Sequence, residues 1–244
     1  NPFVVELGSN DGIMLQNFAR DGIRHLGIEP SKNVAKVALK KGINTVTEFF
    51  DEKLAAKIIE ENGQADAILA ANVMCHIPYL HSVVSGFKKL LKPDGIIMFE
   101  DPYLGDIVEK ISYDQIYDEH VFYFSVSSVN YLFEQHDLEV VDAVHQDVHG
   151  GSMRYVIAHK GKKEISERVN VQRAKEKKIG LHLPDTYKKL AENIESSRRR
   201  LLELLTNIKK QGKRIVGYAA TSKSTTVTNY CGIGPELIEF ISDT

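Results

Sequence analysis

Cysteine is scarce. Two occur in 244 residues, Cys75 and Cys231, far apart and each beside apolar neighbours. No C-x-x-C is present, so the spacing of a structural zinc site is missing and two buried, reduced thiols are expected. One H-x-x-x-H pair, His145 and His149, falls in a short turn with no third ligand at a useful spacing, and no metal is expected. Neither sign of charge is in excess: 31 basic side chains stand against 33 acidic ones, for a net charge of −2. That balance excludes the electrostatic footprint of a nucleic-acid or anionic-lipid binder. The sharpest basic cluster, Arg198-Arg199-Arg200, lies in a charged helical stretch and reads as a solvated face. No apolar run reaches the roughly 18 residues of a membrane helix, and no signal peptide opens the chain. A cytoplasmic protein is expected.

What is present is a soluble globular composition, 43% apolar and 26% charged. Over the first 160 residues the hydrophobic period alternates. "FVVEL" (3–7) is a buried strand ahead of a glycine turn, and Leu15, Phe18 and Ala19 then share one helical face. "RHLGIE" (24–29) is a second strand, followed by a helix from Ser31 to Lys41. "INTVT" is a short third strand, followed by a helix from Asp51 to Glu61. "DAILAAN" (66–72) and "GIIMFE" (95–100) complete five strands, with a helix near 79–91 and the turn "KPDG" before the last. Repeated β-α units imply a parallel sheet covered by helices on both faces. After a helix from Val126 to His136, "LEVVDAV" and "MRYVIAHK" are joined by a connection short enough to force an antiparallel hairpin. Five parallel strands closed by such a hairpin are the Rossmann-like sheet of class I methyltransferases, so residues 1–160 form one expected domain.

Residues 161–212 read as a charged helical linker. Tyr187, Leu190, Ile194, Ser197, Leu201, Leu204 and Ile208 recur at steps of three and four, which suits a bridging helix or a homodimer through the 185–211 helix. "RIVGYAA" (214–220), a helix from "TSKST" and "LIEFISD" then open a second β-α-β unit over 213–244. The chain begins and closes at strands, so a longer parent protein is expected.

Motif absences narrow the ligand of the first turn, "ELGSNDG". A dinucleotide site asks for G-x-G-x-x-G and a P-loop for G-K-[ST], and neither occurs there. Gly8 and Gly12 let the backbone approach a ligand. Asn10 and Asp11 lie between them, and the acidic residues, Glu6 and Asp11, would repel a pyrophosphate but suit a cationic zwitterion; Glu6, Asn10 and Asp11 are expected cofactor residues with the two glycines. Glu29 ends the second strand, 21 positions after Gly8, where an acid accepts from both ribose hydroxyls. S-adenosylmethionine is the expected cofactor, with S-adenosylhomocysteine as product. Asn72 and Val73, in "NVMCHIP", would wall it by their backbone; His76 reads as structural. Asp11 also suits a helix N-cap, and Glu29 a plain surface acid.

"YDQIYDEHVFYFS" (113–125) follows the fifth strand, at the edge where such sheets bind ligands. A local turn would set Tyr117 and His120 on one side. His120 can take a proton near neutral pH, Tyr117 can donate to an oxyanion and Glu119 can orient the base. A loop whose polar groups only satisfy its own backbone is the alternative.

"ELGSNDG", "GIEP", "ANVMCHIP", "YDQIYDEHVFYFS", "HGGSMR" and "GYAATSKSTTVTNYCG" together resemble the sugar-nucleotide C-methyltransferases, which build branched deoxysugars. The resemblance runs over residues 3–160 and from 214 onward. It implies a second, Rossmann-like domain that binds a nucleotide sugar, through Tyr218, Ser222, Lys223, Ser224 and Thr225 here. It also implies that His120 removes a proton beside a keto group, assisted by Tyr117 and Glu119. Amino-group methyltransferases carry N-P-P-Y after the fourth strand, and that motif is missing. The family's four-cysteine zinc module is likewise absent. Asp118 stands where the family has a second histidine, and Ala219 and Ser224 stand where it has glycines. A sugar O-methyltransferase and a non-catalytic binding module remain as alternatives.

Overall fold

A computed structural model describes residues 2–243. They form two compact units, one holding the chain through Tyr103 with Val121–Glu176, the other holding Leu104–His120 with the chain from Lys177 onward.

The first unit is built on a seven-stranded sheet of order β3-β2-β1-β4-β5-β7-β6. β1 (Phe3–Leu7), β2 (Arg24–Ile28), β3 (Thr45–Val46), β4 (Ala65–Ala71) and β5 (Leu91–Pro102) run parallel, while β6 (Leu138–Gln146) and β7 (Ser152–His159) are antiparallel to their neighbours. The expected hairpin is present, and it turns back into the sheet so that β7, its second strand, pairs with β5. β1 lies between two neighbours and is buried along its whole length, which is why its sequence is nearly all apolar.

The helices follow their caps. α1 (Leu15–Arg20) and α2 (Lys32–Lys40) follow β1 and β2. α3 (Glu52–Asn62) starts where Asp51 accepts from the N–H groups of Lys53 and Leu54 at 2.9 and 2.8 Å, and stops at Gly63, whose φ is +81°. α4 (Leu80–Leu90) buries Val83, Val84, Phe87 and Leu90. α6 (Val126–Glu134) opens with a reciprocal Ser125–Ser128 capping box. Phe99 anchors the core between them, stacked 4.7 Å from Tyr155 and meeting Phe124 edge-on.

Three expectations are corrected here. The "KPDG" turn lies inside β5 rather than before it. Ala65 pairs with Leu91 and Ala67 with Ile96, so the turn bulges out of a strand already begun. The strand expected over 214–220 shrinks to Gly217–Tyr218, because only that step reaches a parallel partner. The expected linker is also not one region. α7 (Glu167–Ile179) is tied into the first unit through Glu176, a buried acid. Its carboxylate accepts the N–H groups of Val126 and Ser127 at 2.6 and 3.0 Å, the Ser127 hydroxyl at 2.6 Å and the Tyr103 hydroxyl at 3.2 Å. A negative charge sits there at the N-terminus of α6, where helix donors and dipole both favour it.

The second unit contains α5 (Leu104–Lys110), α8 (Pro184–Lys210) and a small β8–α9–β9 element: Gly217–Tyr218, Ser222–Cys231 and Ile241–Ser242, its strands paired parallel. α8 packs on α5. Leu190, Ile194 and Leu205 form its buried stripe, while Leu204 of the expected seam is 56% exposed. Among the described residues, no helix is long and apolar enough to cross a membrane.

Replacing Glu176 strands four donors at once, two of them, the Val126 N–H and the Tyr103 hydroxyl, buried. Glu176→Ala is expected to lower the unfolding free energy by about 3–5 kcal/mol. Urea denaturation followed by circular dichroism checks it; a loss under 1 kcal/mol would mean that α7 is not held by this carboxylate.

Candidate functional site

Parallel pairing brings the turns after β1, β2 and β4 to one edge of the first unit. A cavity of about 410 Å³ opens there, lined among others by Leu7, Gly8, Ile28, Pro30, Phe49, Asn72, Val73 and His76. Gly8 has φ +62°, and a Cβ at that position would lie 2.3 Å from Cγ2 of Val73. No side chain fits there, so the backbone of the first turn is laid bare to whatever fills the cavity. Gly12 has φ +80° and backs onto Ile43, where a Cβ would come within 2.8 Å.

The remaining expected cofactor residues divide into two groups. Gly8, Asn72 and Val73 line the cavity. Asn72 adopts φ +54°, and its N–H donates to the Glu100 carbonyl at 2.7 Å, which turns the chain sharply at the end of β4. The others shape the turn from behind. Glu29 accepts the Asn10 N–H at 3.1 Å and the Ser31 N–H at 2.8 Å, tying the first turn to the second. Asn10 itself has φ +52°. Asp11 faces Lys41, 2.6 Å away, and this ammonium holds its carboxyl below the ordinary range.

Glu6 lies within β1, 4% exposed, and burial pushes its carboxyl up to about 8. Its Oε2 and the Ser9 hydroxyl are buried without hydrogen-bond partners. Orphaned polar groups at a strand end, beside a glycine cradle, fit a ligand that carries cationic and hydrogen-bonding groups. S-adenosylmethionine has that chemistry. Its sulfonium supplies an activated methyl group. The residues that fit it, and that would hold it, are those of the Gly8 turn and the Asn72–Val73 wall.

In the second unit the chain from Tyr113 to His120 folds as a 3-10 turn, Tyr113–Gln115, and a further bend. Tyr113 packs on α9, its ring 5.5 Å from Tyr230 and its hydroxyl 3.5 Å from Cys231 Sγ. Burial, then the Cys231 thiol, pushes the Tyr113 phenol up to about 12. Tyr117 and His120 come together, ring centroids 4.2 Å apart. His120 is 9% exposed, and its Nδ1 lies 2.9 Å from the Gln115 carbonyl. A carbonyl only accepts, so Nδ1 carries the proton and the neutral ring has its lone pair on Nε2. Glu119 immediately precedes His120 in the same bend.

Ser222, Lys223, Ser224 and Thr225 form the first turn of α9, which Thr221 caps by accepting the Ser224 N–H at 3.2 Å. Tyr218 precedes it, 76% exposed. Ala219 has φ +70°, which costs a residue with a Cβ about 1–2 kcal/mol. The glycine expected at this position would be free of that cost.

Sequence reasoning missed Phe49 and Pro30. Pro30 had a signal, since it directly follows Glu29; Phe49 had none, because its 72% exposure just before the α3 cap is seen only in the fold. His76, read as structural, is also on the cavity wall.

With this geometry in place, the kinship is plain. A family model described as a methyltransferase domain matches residues 2–143, and one described as a C-methyltransferase C-terminal domain matches residues 147–244. The chain belongs to the S-adenosylmethionine-dependent methyltransferases. It is 36% identical over 242 residues to the C-methyltransferase NovU of Streptomyces niveus, covering 99% of this chain and 58% of that protein. It therefore spans little more than half of that relative's length. The ubiquinone biosynthesis O-methyltransferase of Escherichia coli O7:K1 (strain IAI39 / ExPEC) is 29% identical over 100 residues, 39% of this chain and 41% of that protein. Among solved structures, an S-adenosylmethionine-dependent methyltransferase from Clostridium acetobutylicum ATCC 824 shares the fold, with a TM-score of 0.52 and 12% identity over 66% of this chain and 85% of that one.

Glu6 provides a test of the buried cradle. Its carboxyl is raised, so the unfolded chain releases this proton from about pH 4.3 while the folded chain keeps it to about pH 8. The penalty on stability therefore grows across that window and is constant above it. Glu6→Gln removes the penalty. Its melting temperature without ligand, relative to wild type, is expected to rise by several degrees between pH 5 and pH 8. A difference that does not change with pH would mean that Glu6 is ionised in the folded chain.

Proposed function

We propose that the chain is the catalytic part of an enzyme that moves the methyl group of S-adenosylmethionine to a carbon of a keto-sugar nucleotide. The observation that carries this reading is the Tyr117–His120 pair, with the His120 proton assigned to Nδ1 by the Gln115 carbonyl. A sugar carbon attacks a sulfonium methyl group only as an enolate. Forming one needs a base for the C–H proton and a donor for the developing oxyanion, each contributing on the order of a hundredfold or more. His120 Nε2 takes the proton, the Tyr117 hydroxyl donates to the oxyanion, and Glu119 supports the charged imidazolium.

The nucleotide sugar is assigned to the second unit. Its diphosphate suits the first turn of α9, where Ser222, Lys223, Ser224 and Thr225 combine helix N–H groups, hydroxyls and an ammonium. Tyr218, exposed at the end of β8, supplies a face for the base or sugar. The match of residues 147–244 to a C-methyltransferase C-terminal domain supports the same assignment. The domain plan is a cofactor domain over 1–160, helices over 161–212 of which α7 is joined to that domain through Glu176, and a nucleotide-sugar domain from 213 onward. Dimerisation through the 185–211 helix would use the exposed side of α8 that carries Leu204.

The likeness to an O-methyltransferase covers 39% of this chain and says nothing of the acceptor. Deuterium separates the two readings. The full-length enzyme, given a keto-sugar nucleotide and S-adenosylhomocysteine in deuterated water, is expected to wash deuterium into the carbon beside the ketone. His120→Ala should abolish the exchange and Tyr117→Phe should slow it by about a hundredfold, with both ligands still bound. Exchange by His120→Ala at the wild-type rate would remove His120 as the base. Methylation of a hydroxyl by wild type without any exchange would establish O-methylation instead.

A further inference from the structure

Asp101 is the one acid of the first unit that is wholly buried, 0% exposed, at the end of β5. Neither carboxylate oxygen finds a hydrogen bond of good geometry. The donors in reach are the Cys75 thiol and the N–H groups of Cys75 and Met74. All three belong to the 3-10 turn Met74–His76. The residues on either side of that turn, Asn72 and Val73 before it and Ile77 after it, line the 410 Å³ cavity. The carbonyl of Cys75 in turn accepts the N–H groups of Val121 and Phe122 at 2.9 and 3.2 Å. One buried carboxylate thus lies behind the wall of the cavity, at a turn whose Cys75 carbonyl also holds Val121 and Phe122. A fold with no use for this acid would do better with an apolar residue, since an unsatisfied buried carboxylate is costly.

We propose that Asp101 is a positioning residue for the cofactor: as a carboxylate it draws the Met74–Cys75 backbone inward and sets the Asn72–Val73 wall against which S-adenosylmethionine binds. Asp101 touches neither cofactor nor acceptor and acts through Cys75. Burial pushes its carboxyl up to about 7, so the charge that holds the turn is gained and lost near neutral pH. The groups that face it are consistent with this. Glu100, beside it in β5, adds a like charge that Arg154 engages at 2.8 Å. Cys75 offers a thiol that burial keeps protonated. Tyr155, from β7, is fully buried and its phenol is pushed well up. None of the three is a cation that would hold Asp101 ionised at lower pH.

The sign follows from the donors. Above pH 7 the carboxylate is charged and attracts the Met74 and Cys75 donors that face it, so the turn is held. Below it a proton neutralises that charge, so the wall loosens and the cofactor binds less well. Titration calorimetry of S-adenosylhomocysteine at pH 6 and pH 8, on wild type and Asp101→Asn, reads this directly. At pH 8 the variant is expected to bind about tenfold more weakly, the scale of a lost charged hydrogen bond. At pH 6 the ratio of the two constants should shrink to about twofold. Glu6 titrates in both chains and cancels in that ratio. A ratio independent of pH, or unchanged affinity with only a lowered melting temperature, would make Asp101 a core residue and overturn the proposal. If Asp101→Asn does not fold, Cys75→Val decides. It removes the thiol donor at similar volume, and should weaken binding about threefold at pH 8 and hardly at all at pH 6. Wild-type affinity at pH 8 in that variant would overturn the proposal equally.

Discussion

Everything at the candidate cofactor site depends on one close approach, that of Gly8 to Val73. β1 and β4 are hydrogen-bonded in parallel, Glu6 beside Leu69 and Leu7 beside Ala70, so the turns that leave them must emerge side by side. The gap between those turns has no room for a side chain on Gly8. That tight seam is what converts a strand edge into a cradle lined by backbone groups. The β2 turn is then drawn onto it by Glu29, whose two oxygens each take a backbone N–H. A role for Glu29 toward ribose hydroxyls is compatible with these bonds, because an ionised carboxylate has about four acceptor sites.

Buried acids give the first unit its character. Glu6, Asp101 and Glu176 are all nearly sealed from water, yet their surroundings differ. Glu176 has four donors and joins α7 to the start of α6. Glu6 has an orphaned oxygen and Asp101 two, and burial raises both. The satisfied acid is a device of stability. The unsatisfied ones sit under the cofactor cradle and under its wall, where a fold accepts poor solvation for the sake of a ligand.

Much of this fold is legible in the sequence, for identifiable reasons. β1 and β4 read as continuous apolar runs because parallel strands inside a sheet are buried on both faces. The hairpin is legible because its connection is too short for any other geometry. Asp51 announces α3 because an N-cap is a local interaction. What stayed hidden is tertiary. The start of β5 at Leu91 depends on a partner across the sheet, Ala65, and not on the "KPDG" turn beside it. Glu176 looks like one more charge in a solvated helix until the donors of Ser127 and Tyr103 are brought to it. At the candidate site, Gly8, Asn72 and Val73 were readable from turn chemistry and strand order. Phe49 and Asp101 were not, since only the fold places Phe49 on the cavity wall and buries Asp101 behind it.

The central claim is that S-adenosylmethionine and its product bind in the cavity between the Gly8 turn and the Asn72–Val73 wall. Amide hydrogen exchange of the chain with and without S-adenosylhomocysteine tests it most directly. Protection is predicted at Gly8–Asp11 and at Asn72–His76, with the amides of Ser222–Thr225 unchanged. Binding that leaves Asn72–His76 unprotected, or that protects the first turn of α9 instead, would contradict the account.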